Sequence, residues 1–164
     1  MLRARRAGRT GTFPWPLVLR ESQLVSKDLG VLVAAHSERA IRPDDVLSLY
    51  QAQGWWPERT TGQVADVLAA APAAGAWRGD SLAGFARAVT DGLLRAYVED
   101  MIVAPELRRA GVGRALLDCL LGQLAGIPVV TLFCQADLAP FYARCGFRAT
   151  RQVVMHRLSA RPTD

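Results

Sequence analysis

The spacing of hydrophobic and polar positions changes several times along the chain, and each change marks an element. Residues 25–37 are apolar with a glycine-broken start, and a first strand is expected from about Val31. Arg42-Pro43-Asp44-Asp45 has proline and acids where a helix begins, and Val46, Leu47, Leu49 and Tyr50 carry it toward Gly54. Trp55-Trp56-Pro57 follows as a rigid aromatic loop. Thr60 or Thr61 is placed to cap a second helix through Val64, Val67 and Leu68, ending at Pro72. The pattern then shortens to strands. Residues 74–78, the turn Gly79-Asp80, residues 82–89 and the turn Asp91-Gly92 make an antiparallel meander, and 93–103 is the next strand. A helix over 111–124 lines up Val112, Leu116, Cys119, Leu120 and Gln123 on one stripe. Residues 129–134 are apolar without a break, as expected of a strand buried between layers. A short helix over 138–145 stops at Gly146, and residues 147–158 close the sheet.

The order is β-α-α-β-β-β-α-β-α-β. A helical crossover joins 93–103 to 129–134, so those strands should be parallel neighbours. The expected fold is α/β (α+β), with a mixed, mostly antiparallel twisted sheet and helices on both faces. Residues 25–164 read as one domain, preceded by an Arg-rich tail over 1–24; there is no internal repeat.

Composition narrows the classes. Of the 164 residues 51% are hydrophobic and 21% charged, which suits a globular chain with a real core. No apolar run is long enough to cross a bilayer, so no membrane partner is expected. The net charge is +5, almost all from arginine, with Lys27 the sole lysine. Arg3, Arg5, Arg6 and Arg9 crowd the start, where a nucleic-acid arm or targeting segment competes with a solvated tail. The tail is the reading adopted, and nucleic acid is not expected as a partner. Residues 13–19 are too short and too broken by Pro14 and Pro16 for a secretory signal. Cys119, Cys134 and Cys145 are odd in number and lack metal-ligand spacing. Reduced thiols in a cytoplasmic protein, and no metal, are expected.

Residues 106–117 carry the clearest chemistry: E-L-R-R-A-G-V-G-R-A-L-L. A strand closed by Pro105 leads into a glycine turn and then a helix start. A helix N-terminus leaves backbone N–H groups without intrahelical partners and favours anions. Gly111 and Gly113 permit close backbone approach, and Arg108, Arg109 and Arg114 add charge. The segment reads as a pyrophosphate cradle. A dinucleotide-binding turn would open the first β-α unit and carry a third glycine where Leu116 stands, so that reading fails.

The run Arg108-x-x-Gly111-x-Gly113 has the form Q/R-x-x-G-x-G/A. It follows M-I-V-A-P-E-L, and Phe141-Tyr142-Ala143-Arg144-Cys145-Gly146-Phe147 lies downstream. The pair resembles the motifs of the GNAT superfamily of acetyl-CoA-dependent N-acetyltransferases. Motif order matches over residues 31–158. The layout G-W-W-P-x-R, G-F-A-R-A-V-T-D-G, E-D-M-I-V, V-T-L-F-C and F-Y-A-R-C-G-F is similar to the serotonin and lysine N-acetyltransferase-like branch.

The resemblance implies that strands 93–103 and 129–134 splay apart and receive acetyl-CoA. Met101, Ile102 and Val103 would meet its pantetheine arm through the main chain. Its pyrophosphate would take N–H groups from Arg109, Ala110, Gly111, Val112, Gly113 and Arg114, with Arg108 at the Q/R position. Gln135 stands where many members have Asn. An uncharged amine would attack the thioester directly, with a backbone N–H such as that of Met101 for the oxyanion. Tyr142 matches the family tyrosine that acts as acid toward the sulfur. Glu99 and Asp100 are the candidate bases, and strand alternation lets only one of them face the substrate. His36 and His156 read as ordinary residues. Trp55 and Trp56 are candidates to hold the acceptor, or else form a lid or homodimer contact. The acceptor is expected to be a small (aryl)alkylamine, with a protein lysine or N-terminus, or a non-catalytic acetyl-CoA-binding module, as alternatives.

Overall fold

A computed structural model describes residues 23–26 and 29–157. The arginine cluster at Arg3 to Arg9, most of the expected tail, and Leu158 lie outside the described residues. The chain forms two compact units that meet in sequence at Phe133 and Cys134.

The first unit holds a six-stranded sheet in chain order: β1 (Gln23–Ser26), β2 (Val31–Ala35), β3 (Ala73–Arg78), β4 (Ser81–Thr90), β5 (Arg95–Val103) and β6 (Val129–Leu132). Pairing is antiparallel from β1 to β5 and parallel between β5 and β6. The expected boundary between tail and domain falls inside β1. Four residues are too few to show a period, and β2 supplies the pairing that makes them a strand.

α1 (Pro43–Ala52) and α2 (Thr61–Ala70) cover one face. Thr60 caps α2 through a capping box: its hydroxyl accepts the Gln63 N–H at 3.3 Å, and Gln63 accepts the Thr60 N–H at 3.0 Å. Val46, Leu49 and Tyr50 of α1 and Val64 and Leu68 of α2 meet Trp77, Phe85 and Ile102 in one core. α3 (Val112–Gln123) buries Val112, Leu116, Leu117 and Leu120 on the other face. That face is lined with small residues. A Cβ on Gly84 would lie 3.1 Å from the Ala76 Cβ and 3.5 Å from Leu116 Cδ2. Gly84 and Phe85 are successive strand residues, so the two helical layers lie on opposite sides. Cys119 on the α3 stripe is only partly covered, yet burial, with the Glu38 charge, pushes its thiol up to about 11. Gln123 donates to the Ala73 carbonyl at 3.1 Å. No helix among the described residues is long and apolar enough to cross a membrane.

Three expectations change. β5 starts at Arg95, because the Asp91 carboxylate accepts the N–H groups of Leu93, Leu94 and Arg95 at 2.8–3.0 Å and holds that stretch as a turn. β6 is not buried as expected: among the described residues it is an edge strand, with Val129 exposed and Phe133, just past its end, 52% exposed. Residues 147–157, expected to close the sheet, carry no strand. An unbroken apolar run fixes hydrophobicity, whereas burial also needs a neighbour on each side.

The second unit contains a 3-10 turn (Ala136–Leu138) and α4 (Ala139–Arg144). The helix ends in a Schellman motif. Phe147 N–H donates to the Tyr142 carbonyl and Gly146 N–H to the Ala143 carbonyl, each at 3.1 Å, with Gly146 at φ 92°. The hydrophobic contact that accompanies this motif is Tyr142 on Phe147, ring centroids 6.0 Å apart. Helix termination therefore accounts for Gly146 and Phe147 in the F-Y-x-x-x-G-F block.

Candidate active site

β5 is irregular where the candidate acids stand. Phe85 pairs with Ile102 and Arg87 with Glu99, so β5 has one residue more than β4 across the same span. This is a β-bulge at Asp100, which takes φ 53°. A left-handed non-glycine residue costs about 1–2 kcal/mol, and a dense set of contacts holds it there. One Asp100 oxygen accepts from the Tyr50 hydroxyl at 2.8 Å, Arg59 at 3.2 Å and Arg87 Nε at 2.5 Å. The second arm of Arg87 donates to Glu99. Arg87 and Asp100 are the buried charged residues among the described residues.

Burial alternates along β5 through the bulge, with Asp100 buried and Glu99 partly exposed, while one guanidinium reaches both carboxylates. Their environments then separate. Burial works against the Asp100 charge, but Arg87, Tyr50 and Arg59 outweigh it and hold the carboxyl below its ordinary value. Burial likewise opposes the Arg87 charge, and Asp100 and Glu99 overcome it. Tyr50 is pushed well up by burial and by the Asp100 charge. The Glu99 side chain is 28% exposed, against 2% for Asp100.

The bulge also coincides with the end of parallel pairing. β5 and β6 pair from Arg95 with Val129 to Val98 with Leu132, while β5 runs on to Val103. Pairing stops where β6 itself ends, one residue before Glu99. Among the described residues, no strand pairs with residues 99–103, Met101, Ile102 and Val103 among them, on that side. The turn after β5 carries two left-handed residues, Arg109 at φ 61° and Gly111 at 84°, after an extended Arg108. Successive backbone N–H groups in such a turn make an anion-binding nest. The first backbone bond into α3 is Ala115 N–H to the Gly111 carbonyl, so the N–H groups of Val112, Gly113 and Arg114 precede the helical ladder.

Among the arginines, Arg108 points to protein. It donates to the Val103 carbonyl at 3.0 Å and to Gln53 at 2.7 Å, bracing the turn against the end of β5 and the C-cap of α1. Arg114 pairs with Asp118 at 2.8 Å along the exposed face of α3.

On the α1–α2 side lies a cavity of about 500 Å³. Tyr50, Val64, Val67 and Phe85 make its apolar wall, Arg59 and Arg87 reach it from the ionic network, and Glu58 and Asp66 add carboxylates. Trp56 lines it and Trp55 does not. Trp56 takes φ 49°, and the Arg59 guanidinium stacks on it at 4.4 Å and on Tyr50 at 5.2 Å. The cation–π partner of this tryptophan is thus one of the protein's own side chains.

In the second unit Tyr142 is buried, edge-on to Phe141 at 4.9 Å, and burial pushes its hydroxyl up to about 12, with the Cys134 and Cys145 charges adding. Gln135 caps the 3-10 turn. Elsewhere, His36 Nδ1 accepts the Ile41 N–H at 2.9 Å, which makes it a loop-fixing residue; His156 is exposed.

Sequence reasoning named the acids, the glycine turn and Trp56 as candidates. It passed over Arg87, Arg59 and Tyr50. A signal existed for the first: Arg87 stands alone in the apolar run 82–89, two places from Phe85 and so on the core-facing side. A charge there requires a buried counter-charge.

Known proteins resemble this chain over part of its length. A model of the acetyltransferase (GNAT) domain matches residues 72–149. An N-acetyltransferase of Pyropia yezoensis is 37% identical over 68 residues, 40% of this chain and 39% of that protein. Serotonin N-acetyltransferase 2, chloroplastic, of Oryza sativa is 37% identical over 65 residues, 38% of this chain and 32% of that protein. The matched stretch thus spans well under half of these relatives. Among solved structures, a GNAT-family acetyltransferase of Streptococcus pneumoniae superposes with a TM-score of 0.64 at 28% identity, covering 78% of this chain and 99% of that one.

Proposed function

Residues 72–149 are a GNAT acetyltransferase domain, and on that premise we propose that the chain moves an acetyl group from acetyl-CoA directly to the primary amine of a small (aryl)alkylamine. The observation that carries this is the early end of β5–β6 pairing at Val98 and Leu132, followed in the turn after β5 by the nest at residues 108–112. An unpaired strand edge needs hydrogen-bond partners, and an amide-bearing arm supplies them. A nest on a helix start suits a pyrophosphate. The residues present therefore fit acetyl-CoA. Met101, Ile102 and Val103 would hold its arm by main chain, and Arg109 through Arg114 its phosphates by N–H groups. When bound, it supplies an activated acetyl thioester.

The protein's own groups do the rest. Glu99 is the base: it is the accessible member of the acid pair, while the Asp100 carboxylate already takes three donors. It removes the amine proton directly or through one water. Tyr142 donates to the departing sulfur, a role carried by its match to the family motif. A hydroxyl raised to about 12 stays protonated at neutral pH, the state a donor needs. An alkyl thiol titrates near ~8.5, so Tyr142 serves best as a hydrogen-bond donor to a developing thiolate. The cavity is within the ordinary size of small-molecule sites. Its apolar wall and Trp56 suit an aryl group, and Glu58 and Asp66 suit an incoming ammonium. Three free cysteines suit the cytoplasm or another reducing compartment.

Thiol release from acetyl-CoA, measured across arylalkylamines, polyamines, aminoglycosides and lysine peptides, tests the proposal. Arylalkylamines should give the highest kcat/KM. Preference for lysine peptides would move the acceptor to protein, and binding without release would leave a binding module. Tyr142→Phe should lower kcat; unchanged turnover and pH profile would sink its role.

A further inference from the structure

The reading of Glu99 as base leaves open what holds its carboxylate in place. A partly exposed glutamate on a strand has several rotamers, and a base is effective only when it is oriented. Arg87 supplies the constraint. It lies on β4 directly across from Glu99 in the register, is itself buried, and presents two donors in a rigid plane. Nε goes to Asp100 and Nη2 to Glu99. Asp100 cannot swing to follow, because Tyr50 and Arg59 hold the same oxygen. The fork of Arg87 is therefore fixed at one end and aims the other.

We propose that Arg87 is a positioning residue of the acetyl transfer, anchored by the Tyr50–Asp100–Arg59 cluster and orienting the Glu99 carboxylate toward the acceptor amine. The inference rests on the proposed role of Glu99. It goes further in making the buried cluster part of the reaction machinery. Charge supports it. Two guanidinium groups and two carboxylates balance, so a proton taken by Glu99 leaves the cluster one positive charge in excess, which favours passing that proton on. The groups facing Glu99 are Arg87 from β4, Asp100 and Tyr97 on its own strand, and Arg59 beyond Asp100.

The test compares the full chain with Arg87→Lys, Glu99→Gln and the double variant, in kcat, both KM values and the pH profile. Lysine keeps the charge and loses the fork. Arg87→Lys should lower kcat on the order of tenfold to a hundredfold, with the acetyl-CoA KM nearly unchanged, since Tyr50 and Arg59 still hold the bulge. In the Glu99→Gln background the same change should cost nothing more. Multiplicative effects, or a folded Arg87→Lys with unchanged kcat and pH profile, would overturn the proposal. Should Arg87→Lys not fold, NMR of the Arg87 side-chain N–H groups decides it. Slow Nη exchange in the wild type, lost in Glu99→Gln, is expected; identical spectra would refute the constraint. A wild type that transfers to no amine would fail the acetyltransferase reading instead, and the spectra would still report whether Glu99 and Arg87 fix each other.

Discussion

Asp100 keeps a charge where only its partners make one tolerable. Removing that charge leaves two guanidinium groups facing an amide. Asp100→Asn should therefore destabilise the fold by about 3–5 kcal/mol, measured by urea unfolding at neutral pH. The pH dependence has a definite sign. Asp100 has a folded pKa below its ordinary 3.8, so its contribution is present above that value and lost as pH falls through the folded one. His36 acts in a higher window. Its neutral Nδ1 accepts the Ile41 N–H, and burial lowers its pKa from the ordinary 6.5. The unfolded chain then binds more protons just below 6.5, and stability falls as pH drops from there toward the folded value. His36→Gln should flatten the fall in urea midpoint between roughly pH 7 and 5. At this scale the sequence named Glu99, Asp100 and Trp56 as candidates. It could not pair Arg87 with Asp100, because their contact depends on strand register, and register on the bulge.

At the scale of elements, local chemistry was the most legible. Pro43 with Asp44 and Asp45, Thr60 with Gln63, and Gly146 before Phe147 each mark a helix end that the structure contains, because capping needs only a few neighbouring residues. The nest was readable as glycine and arginine, but its left-handed backbone at Arg109 and Gly111 was not. Gly111→Ala should therefore act on the nest more than on the helix. It places a Cβ at φ 84°, at a cost of about 1–2 kcal/mol. Relief of that strain would tilt the N–H groups of the turn, so the acetyl-CoA KM should rise severalfold in steady-state assays while the amine KM holds. The bulge was invisible because alternation assumes an unbroken strand. The burial of β6 was misjudged because an apolar run does not say which strands flank it.

For the whole molecule, net charge bears on encounter. At +5 the chain attracts a polyanionic donor, and that attraction is screened within a Debye length. Raising the salt from low ionic strength to roughly 0.5 M should raise the acetyl-CoA KM and leave kcat nearly constant. A kcat that fell in parallel would place the salt effect on the chemistry. The sequence by itself determined the element order from β2 to α4, the antiparallel meander, the parallel crossover and the glycine turn, since each is written in neighbouring residues or in a connection too long for a hairpin. Only the tertiary structure decided that β5 bulges at Asp100, that Arg87 joins Glu99 to Asp100 from the next strand, and that β5–β6 pairing ends at Val98. Those contacts join residues a dozen or more apart, and their energy exists only when both strands are in register.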